Sequence, residues 1–361
     1  MQSSPNERIF RYELQDTAIE LYREFNVDWD VKGLCSCCRY VPSKELSFKI
    51  TKDGIVYLNG LNHCNSRSSC PVCAYPAQLK TLNEIQYAIW LARHKGYGVY
   101  LITYTFSHGA GDSLAMIQYM FGEAKQLMYR DKSYRDLMKY YGYVGRITDY
   151  EIMLCGSNGY HPHSHDLEFL DEDVDLDEIR EVYADYWVKY LEKVGLSARN
   201  DISVKVLGYK GVGDYITKMG CEISLANFTK NSREDKSLSP FQCLTMYHNT
   251  HNYYYGVNWI EYVCNIKRKR IIGWSRGLRD FLGVRDFGEV EESGLVDECT
   301  SPLIVFDEPR DVDKLKSWQW KTLKESLDKG MLKEVEDILK AVKISYHLNT
   351  IGLKRYHDMV N

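Results

Sequence analysis

The chain is organised around one stretch, Asn158-Gly159-Tyr160-His161-Pro162-His163-Ser164-His165. Its three histidines alternate within five residues. Because side chains on one face of a β-strand recur at every second residue, a strand here would point all three imidazoles the same way. This alternation favours a metal-binding edge. The alternative is an ordinary strand that carries histidines on its solvent face.

Strands and helices are predicted on both sides of this stretch. A strand over 143–154 precedes it, a turn covers 156–159, and the histidines begin a strand over 161–169. Upstream, the β-branched and aromatic content of 99–106 predicts a further strand. Downstream, residues up to Val194 carry apolar side chains at helical spacing, and 202–207 reads as a fourth strand.

The neighbouring segments supply groups that suit metal-assisted chemistry. Glu151, on the strand before the histidines, offers an oxygen ligand beside His163 and His165. Such a mixed imidazole and carboxylate set suits Mg²⁺ or Mn²⁺ with positions left open for a substrate oxygen. Tyr215 and Lys218 stand three residues apart and share one face of a predicted helix over 212–222. An ammonium beside a phenol favours the phenolate, a covalent nucleophile, although a packing tyrosine beside a solvent lysine gives the same spacing.

Cysteines cluster near the N-terminus. A helix over 12–25 is followed by Cys35-Ser36-Cys37-Cys38, a predicted hairpin over 46–58, and then Cys64 and Cys70-Pro71-Val72-Cys73. Tetrahedral zinc takes four thiolate or imidazole ligands, and a Cys-x-x-Cys spacing lets two of them reach one ion. Cys70 and Cys73, which have this spacing, are the best-defined pair of candidate zinc ligands. Cys37 and Cys64 are predicted to complete a structural zinc site, with Cys35 and Cys38 as alternatives to Cys37, while buried free cysteines are the other interpretation.

Composition restricts the class of protein. The chain has 361 residues, 44% hydrophobic and 27% charged, as is ordinary for a globular protein of two or three units. Its net charge of −4 means that a nucleic-acid surface would have to come from local clusters, such as the basic run that ends at Arg270. No apolar run reaches the roughly 18 residues of a membrane helix, and no signal pattern opens the sequence, so we expect a cytoplasmic protein with no membrane partner. In that compartment the eleven cysteines favour metal binding over disulfides.

Several motifs, in order along the chain, resemble those of the rolling-circle replication initiator proteins of plasmids and phages, within the HUH endonuclease superfamily. The resemblance covers about Cys35 to Gly283. The matching segments are Cys70-Pro71-Val72-Cys73, Thr103-Tyr104-Thr105 through His108 to Leu114, Asn158 to His165, Tyr215 to Lys218, Pro240-Phe241-Gln242, and Trp274 to Arg279.

The resemblance implies a role for each matching residue. His163 and His165 would be metal ligands, with Glu151 as the third and Asp149 as the fallback, and His161 would lie at the rim. Tyr215 would attack a phosphodiester of single-stranded or extruded origin DNA, leaving a 5′-phosphotyrosine and a free 3′-hydroxyl, and Lys218 would position that phosphate. Host helicase and polymerase would then be partners.

Two positions depart from the family pattern. Ser164 stands where relatives carry a bulky apolar residue, which predicts weaker anchoring of the histidine strand in the core. Gly211 occupies a position where some relatives carry a glutamate that ends replication, and Glu222 is the expected substitute.

The resemblance also implies the fold. We expect an α+β protein with a central antiparallel sheet flanked by helices, an HUH/RRM-like nuclease core, between an N-terminal zinc-bearing region and a helical C-terminal region. The expected divisions are 1–95, 96–228 and 229–361. The alternatives are a single-strand transposase or mobilisation relaxase of the same superfamily and, from another class, a non-catalytic zinc-bearing DNA-binding protein.

Overall fold

The computed structural model describes the chain except for residues 1–4, 28–30, 39–44, 52–53, 55, 110, 214–236, 267–268, 285–299, 310–313, 316 and 361. The strands are β1 Ser47–Ile50, β2 Val56–Asn59, β3 Tyr97–Tyr104, β4 Gly145–Leu154, β5 Tyr160–Asp171, β6 Val204–Leu207, β7 Ile272–Trp274, β8 Ser301–Phe306 and β9 Tyr346–Leu348. The helices are α1 Pro5–Glu24, α2 Val31–Ser36, α3 Pro71–His94, α4 Leu114–Arg130, α5 Lys132–Tyr140, α6 Leu176–Lys193, α7 Asn200–Ser203, α8 Pro240–Thr250, α9 Tyr253–Ile266, α10 Leu278–Leu282, α11 Ser317–Asp328, α12 Leu332–Ala341 and α13 Thr350–Val360. Among the described residues, no helix is both long and apolar enough to cross a bilayer.

The chain forms two compact units. Residues Met1–Lys80 and Phe287–Asn361 make the first, and Thr81–Asp286 make the second. The first unit therefore draws on both ends of the chain, which was not anticipated from the sequence. The three functional regions 1–95, 96–228 and 229–361 stay a prediction.

An antiparallel sheet of order β2-β1-β8-β9 lies in the first unit. The predicted hairpin forms, with Ser47 opposite Asn59 and Ile50 opposite Val56. Strands β8 and β9 were not predicted. Strand β8 pairs with β1, although the two strands lie far apart along the chain. Helix α13 comes so close to β8 that a Cβ on Gly352 would lie 1.8 Å from the carbonyl oxygen of Pro302, so only glycine fits there.

The second unit holds an antiparallel sheet of order β6-β3-β5-β4-β7. Its longest strand, β5, lies at the centre between β3 and β4. The β4–β5 connection ends at Gly159, whose φ of 76° lies in the left-handed region that glycine adopts without strain. The expected α+β class, with antiparallel sheets flanked by helices, is confirmed.

The two faces of β5 have different surroundings. Ser164, Asp166 and Glu168 point to one face and are fully buried. His161, His163 and His165 alternate with them and are only partly buried. Helices α4 and α6 pack on the unit's core through large aromatic side chains, among them Phe121 and Trp187, whose rings meet edge to face.

Candidate metal centres

Strand pairing brings the predicted histidine and carboxylate ligands together. Glu151 of β4 lies directly opposite His163 of β5, and Asp149 lies opposite His165. Residues directly opposite each other in an antiparallel pair share a face of the sheet. The ligand atoms of Glu151, His163 and His165 all lie within 4.8 Å of one another. Asp149 is not part of that group.

One carboxylate oxygen sits between the two imidazoles. The Oε2 atom of Glu151 is 2.7 Å from Nε2 of His163 and 3.2 Å from Nε2 of His165. The His163 and His165 side chains keep 13% and 12% exposure, so the cluster opens to solvent on one side. Three protein ligands with an open side are what a catalytic cation needs in order to accept a substrate oxygen.

The contacts of the Nδ1 atoms of His163 and His165 bear on whether their Nε2 atoms can bind a cation. Nδ1 of His163 lies 3.4 Å from the carbonyl oxygen of His161, which can accept a proton from it. With the proton on Nδ1, Nε2 presents its lone pair on the side of the Glu151 carboxylate, as a metal ligand does. His165 has the matching arrangement, because its Nδ1 lies 2.8 Å from Oγ1 of Thr103, which can accept its proton. The donor set therefore fits a divalent cation.

His161 shares the face but stands outside the three-ligand group. Its Nε2 lies 2.7 Å from Oγ1 of Thr105, and its ring stacks on His108 at a centroid distance of 4.8 Å. Burial, followed by the neighbouring His163, lowers the pKa of His161 to about 4, so the ring is neutral near pH 7. The sequence motif that contains Thr103, Thr105 and His108 was recognised, but its contacts with the histidines were not foreseen.

Behind the histidines, the opposite face of β5 carries a buried ionic network. Lys125 of α4 donates to Oγ of Ser164 at 2.6 Å and to both carboxylate oxygens of Asp166 at 2.8 Å. Tyr129 donates to Asp166 at 2.5 Å, and Arg146 lies 3.6 Å from it. Ser164 is fully buried. The expectation that Ser164 weakens the strand's anchoring is therefore not met, because a charged hydrogen bond takes the place of apolar packing.

The predicted nucleophile lies outside the described residues. Tyr215, Lys218 and Glu222 all fall within 214–236. Residues 209–213, just before them, are helical. The three catalytic assignments stay predictions.

Four of the cysteines, Cys37, Cys64, Cys70 and Cys73, converge in the first unit and form the four-cysteine cluster. Sγ of Cys37 lies 3.4 Å from that of Cys73 and 3.7 Å from that of Cys70, and Sγ of Cys64 lies 3.7 Å from that of Cys73. These distances exclude disulfide bonds, and all four residues are free thiols. Cys70 lies directly before α3, and Cys73 lies in its first turn.

The geometry of the four-cysteine cluster suits zinc. A tetrahedral ion with Zn–S bonds of about 2.3 Å holds its sulfur atoms about 3.8 Å apart, close to the separations found. Hydrogen bonds from neighbouring thiols, that of Cys38 first, lower the pKa of Cys37, whereas burial raises the pKa of Cys70 well above its usual value. The side-chain amide of Gln15, fully buried, reaches Sγ of Cys70 at 3.6 Å and the carbonyl of Cys37 at 3.3 Å. The cluster can hold a metal ion such as zinc.

The basic run that ends at Arg270, a candidate nucleic-acid surface, and the nearby Arg279 have partners within the protein. Residues 267–268 lie outside the described part, and Lys269 donates to the side chain of Gln118. Arg279 stacks over the ring of Trp274 and forms an ion pair of 2.5 Å with Glu84. These two cations therefore have structural partners.

Comparison with known proteins gives one informative similarity. The chain is 25% identical to Protein rep of Streptomyces lividans over 325 residues, covering 70% of this chain and 71% of the relative. No protein-family model matches the chain. No solved structure matches it.

Proposed function

We propose that this chain is a rolling-circle replication initiator that nicks and rejoins single-stranded or extruded origin DNA. The observation that carries the proposal is the convergence of Glu151, His163 and His165 on one open face of the second sheet. The similarity to a protein named rep supports the same conclusion.

The three ligands are proposed to hold Mg²⁺ or Mn²⁺. When bound, such a cation polarises a phosphoryl oxygen and offsets the charge that develops as a nucleophile attacks. Thr103 and the carbonyl of His161 are proposed to fix the two rings by accepting their Nδ1 protons, which would leave the lone pairs of both Nε2 atoms directed at the site.

The covalent step is assigned to Tyr215. Its phenol gives up a proton, and its oxygen forms a bond to phosphorus as the bond from phosphorus to the 3′-oxygen breaks. The departing 3′-oxygen takes up a proton and becomes the hydroxyl that primes synthesis, while the 5′-phosphate stays on the tyrosine. Lys218 is proposed to hold the phosphate, and Glu222 to serve in the step that ends replication. Host helicase and polymerase are the proposed partners.

The test is adduct formation on oligonucleotides tiled across the replicon that encodes the chain. With Mn²⁺, we expect a covalent protein–DNA species that survives denaturing electrophoresis. The Tyr215→Phe variant should form none, because it lacks the attacking oxygen. The His163→Ala variant should form adduct at least about 100-fold more slowly, since a ligand is lost.

Tyr209→Phe is the matched control, because Tyr209 is an exposed tyrosine in the preceding residues. It should form adduct at the parent rate. Adduct formation by Tyr215→Phe at the parent rate would overturn the nucleophile assignment. Specific DNA binding by the parent without any adduct would support the non-catalytic alternative.

A further inference from the structure

Two further metal-binding side chains lie at the edge of the four-cysteine cluster without belonging to it. Sγ of Cys38 is 3.7 Å from Sγ of Cys37, and Nδ1 of His63 is 3.5 Å from Sγ of Cys38 and 3.8 Å from Sγ of Cys73. The ligand atoms of Cys37, Cys38 and His63 form a second group within 4.8 Å of one another. Cys37 belongs to both groups.

The backbone holds these two side chains in place. The backbone N–H of Cys38 donates to the carbonyl of Asn62 at 2.8 Å, and the Asn62 amide donates to Oγ of Ser36 at 3.2 Å. Cys38 itself has a φ of 56°, a left-handed conformation uncommon for a residue other than glycine. A strained residue of this kind persists where its surroundings require its position. The turn at Cys38 and the segment before Cys64 are thus fixed against each other.

One tetrahedral ion cannot use all six donors. Zinc in a closed protein site takes four ligands, and the four-cysteine cluster already supplies them. Around a second ion with Zn–S bonds of about 2.3 Å and Zn–N bonds of about 2.0 Å, a sulfur and a nitrogen lie about 3.5 Å apart. The Cys38–His63 separation of 3.5 Å matches that value.

We propose that the cysteines of the first unit bind two zinc ions, the second held by Cys37, Cys38 and His63, with the Cys37 sulfur bridging to the ion of the four-cysteine cluster. The backbone N–H of Cys64 also donates to that sulfur, at 3.4 Å, which suits an atom carrying concentrated negative charge. Five thiolates around a single divalent cation would leave a large uncompensated charge among buried groups, and a second divalent cation offsets part of it.

The outer ion is the accessible one. Cys38 is buried, whereas His63 is exposed, so the three-ligand set faces solvent at the imidazole. Three protein ligands leave a fourth position for water. The outer ion should therefore leave before the inner ion when a chelator is added.

The experiment measures zinc after zinc saturation and extensive dialysis, in a parent chain that carries His163→Ala so that the Glu151, His163 and His165 group adds no zinc. The parent should hold about two zinc ions per chain, and the Cys38→Ser, His63→Ala double variant about one. Cys35→Ser is the control, because Cys35 belongs to neither group, and it should keep the parent content. One ion per chain in the parent, or two in the double variant, would overturn the proposal.

X-ray absorption at the zinc edge of the same His163→Ala parent tests the site without relying on the Cys38 and His63 substitutions, and zinc held by His163 and His165 does not contribute to the signal. Two ions that share Cys37 should show imidazole nitrogen among the atoms bound to zinc, together with a zinc neighbour. Four sulfur atoms around each zinc with no metal neighbour would overturn the two-ion site. Neither measurement involves DNA, so its outcome is independent of the proposed nicking activity.

Discussion

Strand β5 presents two polar faces that are built in different ways. On one face, His163 and His165 meet a single carboxylate, Glu151, and stay partly open to solvent. On the other, Asp166 and Ser164 meet Lys125 beneath α4, where Asp166 has no exposure and Lys125 has 10%. One face leaves coordination positions for a ligand, and on the other Lys125 occupies both carboxylate oxygens of Asp166.

The two faces show that charged side chains can serve either stability or ligand binding. Buried ions that are fully hydrogen-bonded hold a strand in one position, whereas partly open ligands keep their affinity for something outside the chain. Since both faces belong to one strand, we expect the contacts of the closed face to hold the backbone that carries the histidines. Breaking the closed face should therefore change stability, and altering the open face should change metal binding.

The largest effect is expected at Lys125. Lys125→Met removes the ammonium and leaves Asp166 and Ser164 buried without their main donor. The free energy of unfolding should fall by about 3–5 kcal/mol, the usual consequence of breaking a buried pair on one side. Chemical denaturation followed by circular dichroism measures it.

Lys139→Met is the matched control. Lys139 pairs with Asp136 at 3.5 Å on the exposed surface of α5, so its loss should change stability by less than about 0.5 kcal/mol. A Lys125 variant as stable as this control would show that the network contributes little.

A smaller, pH-dependent effect is expected at Glu168. Burial, with Asp166 adding to it, raises the pKa of Glu168 to about 7, and Tyr183 donates to it at 3.0 Å. Because the folded pKa exceeds the unfolded value, the folded state holds the proton more tightly. The stability from Glu168 is thus fully present below about pH 4.5 and is lost as the pH rises through about 7.

Glu168→Gln removes this titration. Relative to the parent, the variant should gain up to about 3 kcal/mol between about pH 5 and about pH 8. Glu192→Gln on the exposed surface of α6 is the control and should track the parent at every pH. A parent-to-variant difference that stays constant with pH would contradict the raised pKa.

The smallest effect is expected at Thr103, which contacts the ring nitrogen of His165 that faces away from the proposed metal ion. Thr103→Val removes the hydroxyl that lies 2.8 Å from Nδ1 of His165, which should weaken Mn²⁺ binding about 10-fold while leaving stability near the parent value. Thr105→Val is the control, because its hydroxyl lies at 2.7 Å from His161, outside the three-ligand group. Calorimetry with Mn²⁺ compares the two, and equal affinities would contradict the assigned role of Thr103.

For the second unit, the alternation of residues along the strands was the pattern from which the candidate metal ligands could be predicted. The period of two at His161, His163 and His165 was enough to predict a shared face, and the turn at Gly159 placed Glu151 on the neighbouring strand. The ionic network behind the histidines is also indicated by the sequence, because Lys125 continues the core spacing of Ile117 and Phe121 on α4. A charged residue in that row indicates a buried partner.

The first unit was harder to predict because its sheet depends on pairing between distant segments. The hairpin of β1 and β2 follows from local turn chemistry, but no local pattern selects β8 as the next strand. His63 was missed for a related reason. A histidine beside one cysteine indicates nothing until the turn at Cys38 brings a second thiol to it.

The pairing of β1 with β8 also sets an order of events on the ribosome. The second unit is one continuous segment, Thr81–Asp286, and all of it has been synthesised before β8 exists. Strand β1 therefore lacks its β8 partner at one edge until the whole second unit has been synthesised. The part of the chain that is made first can be the last to finish folding.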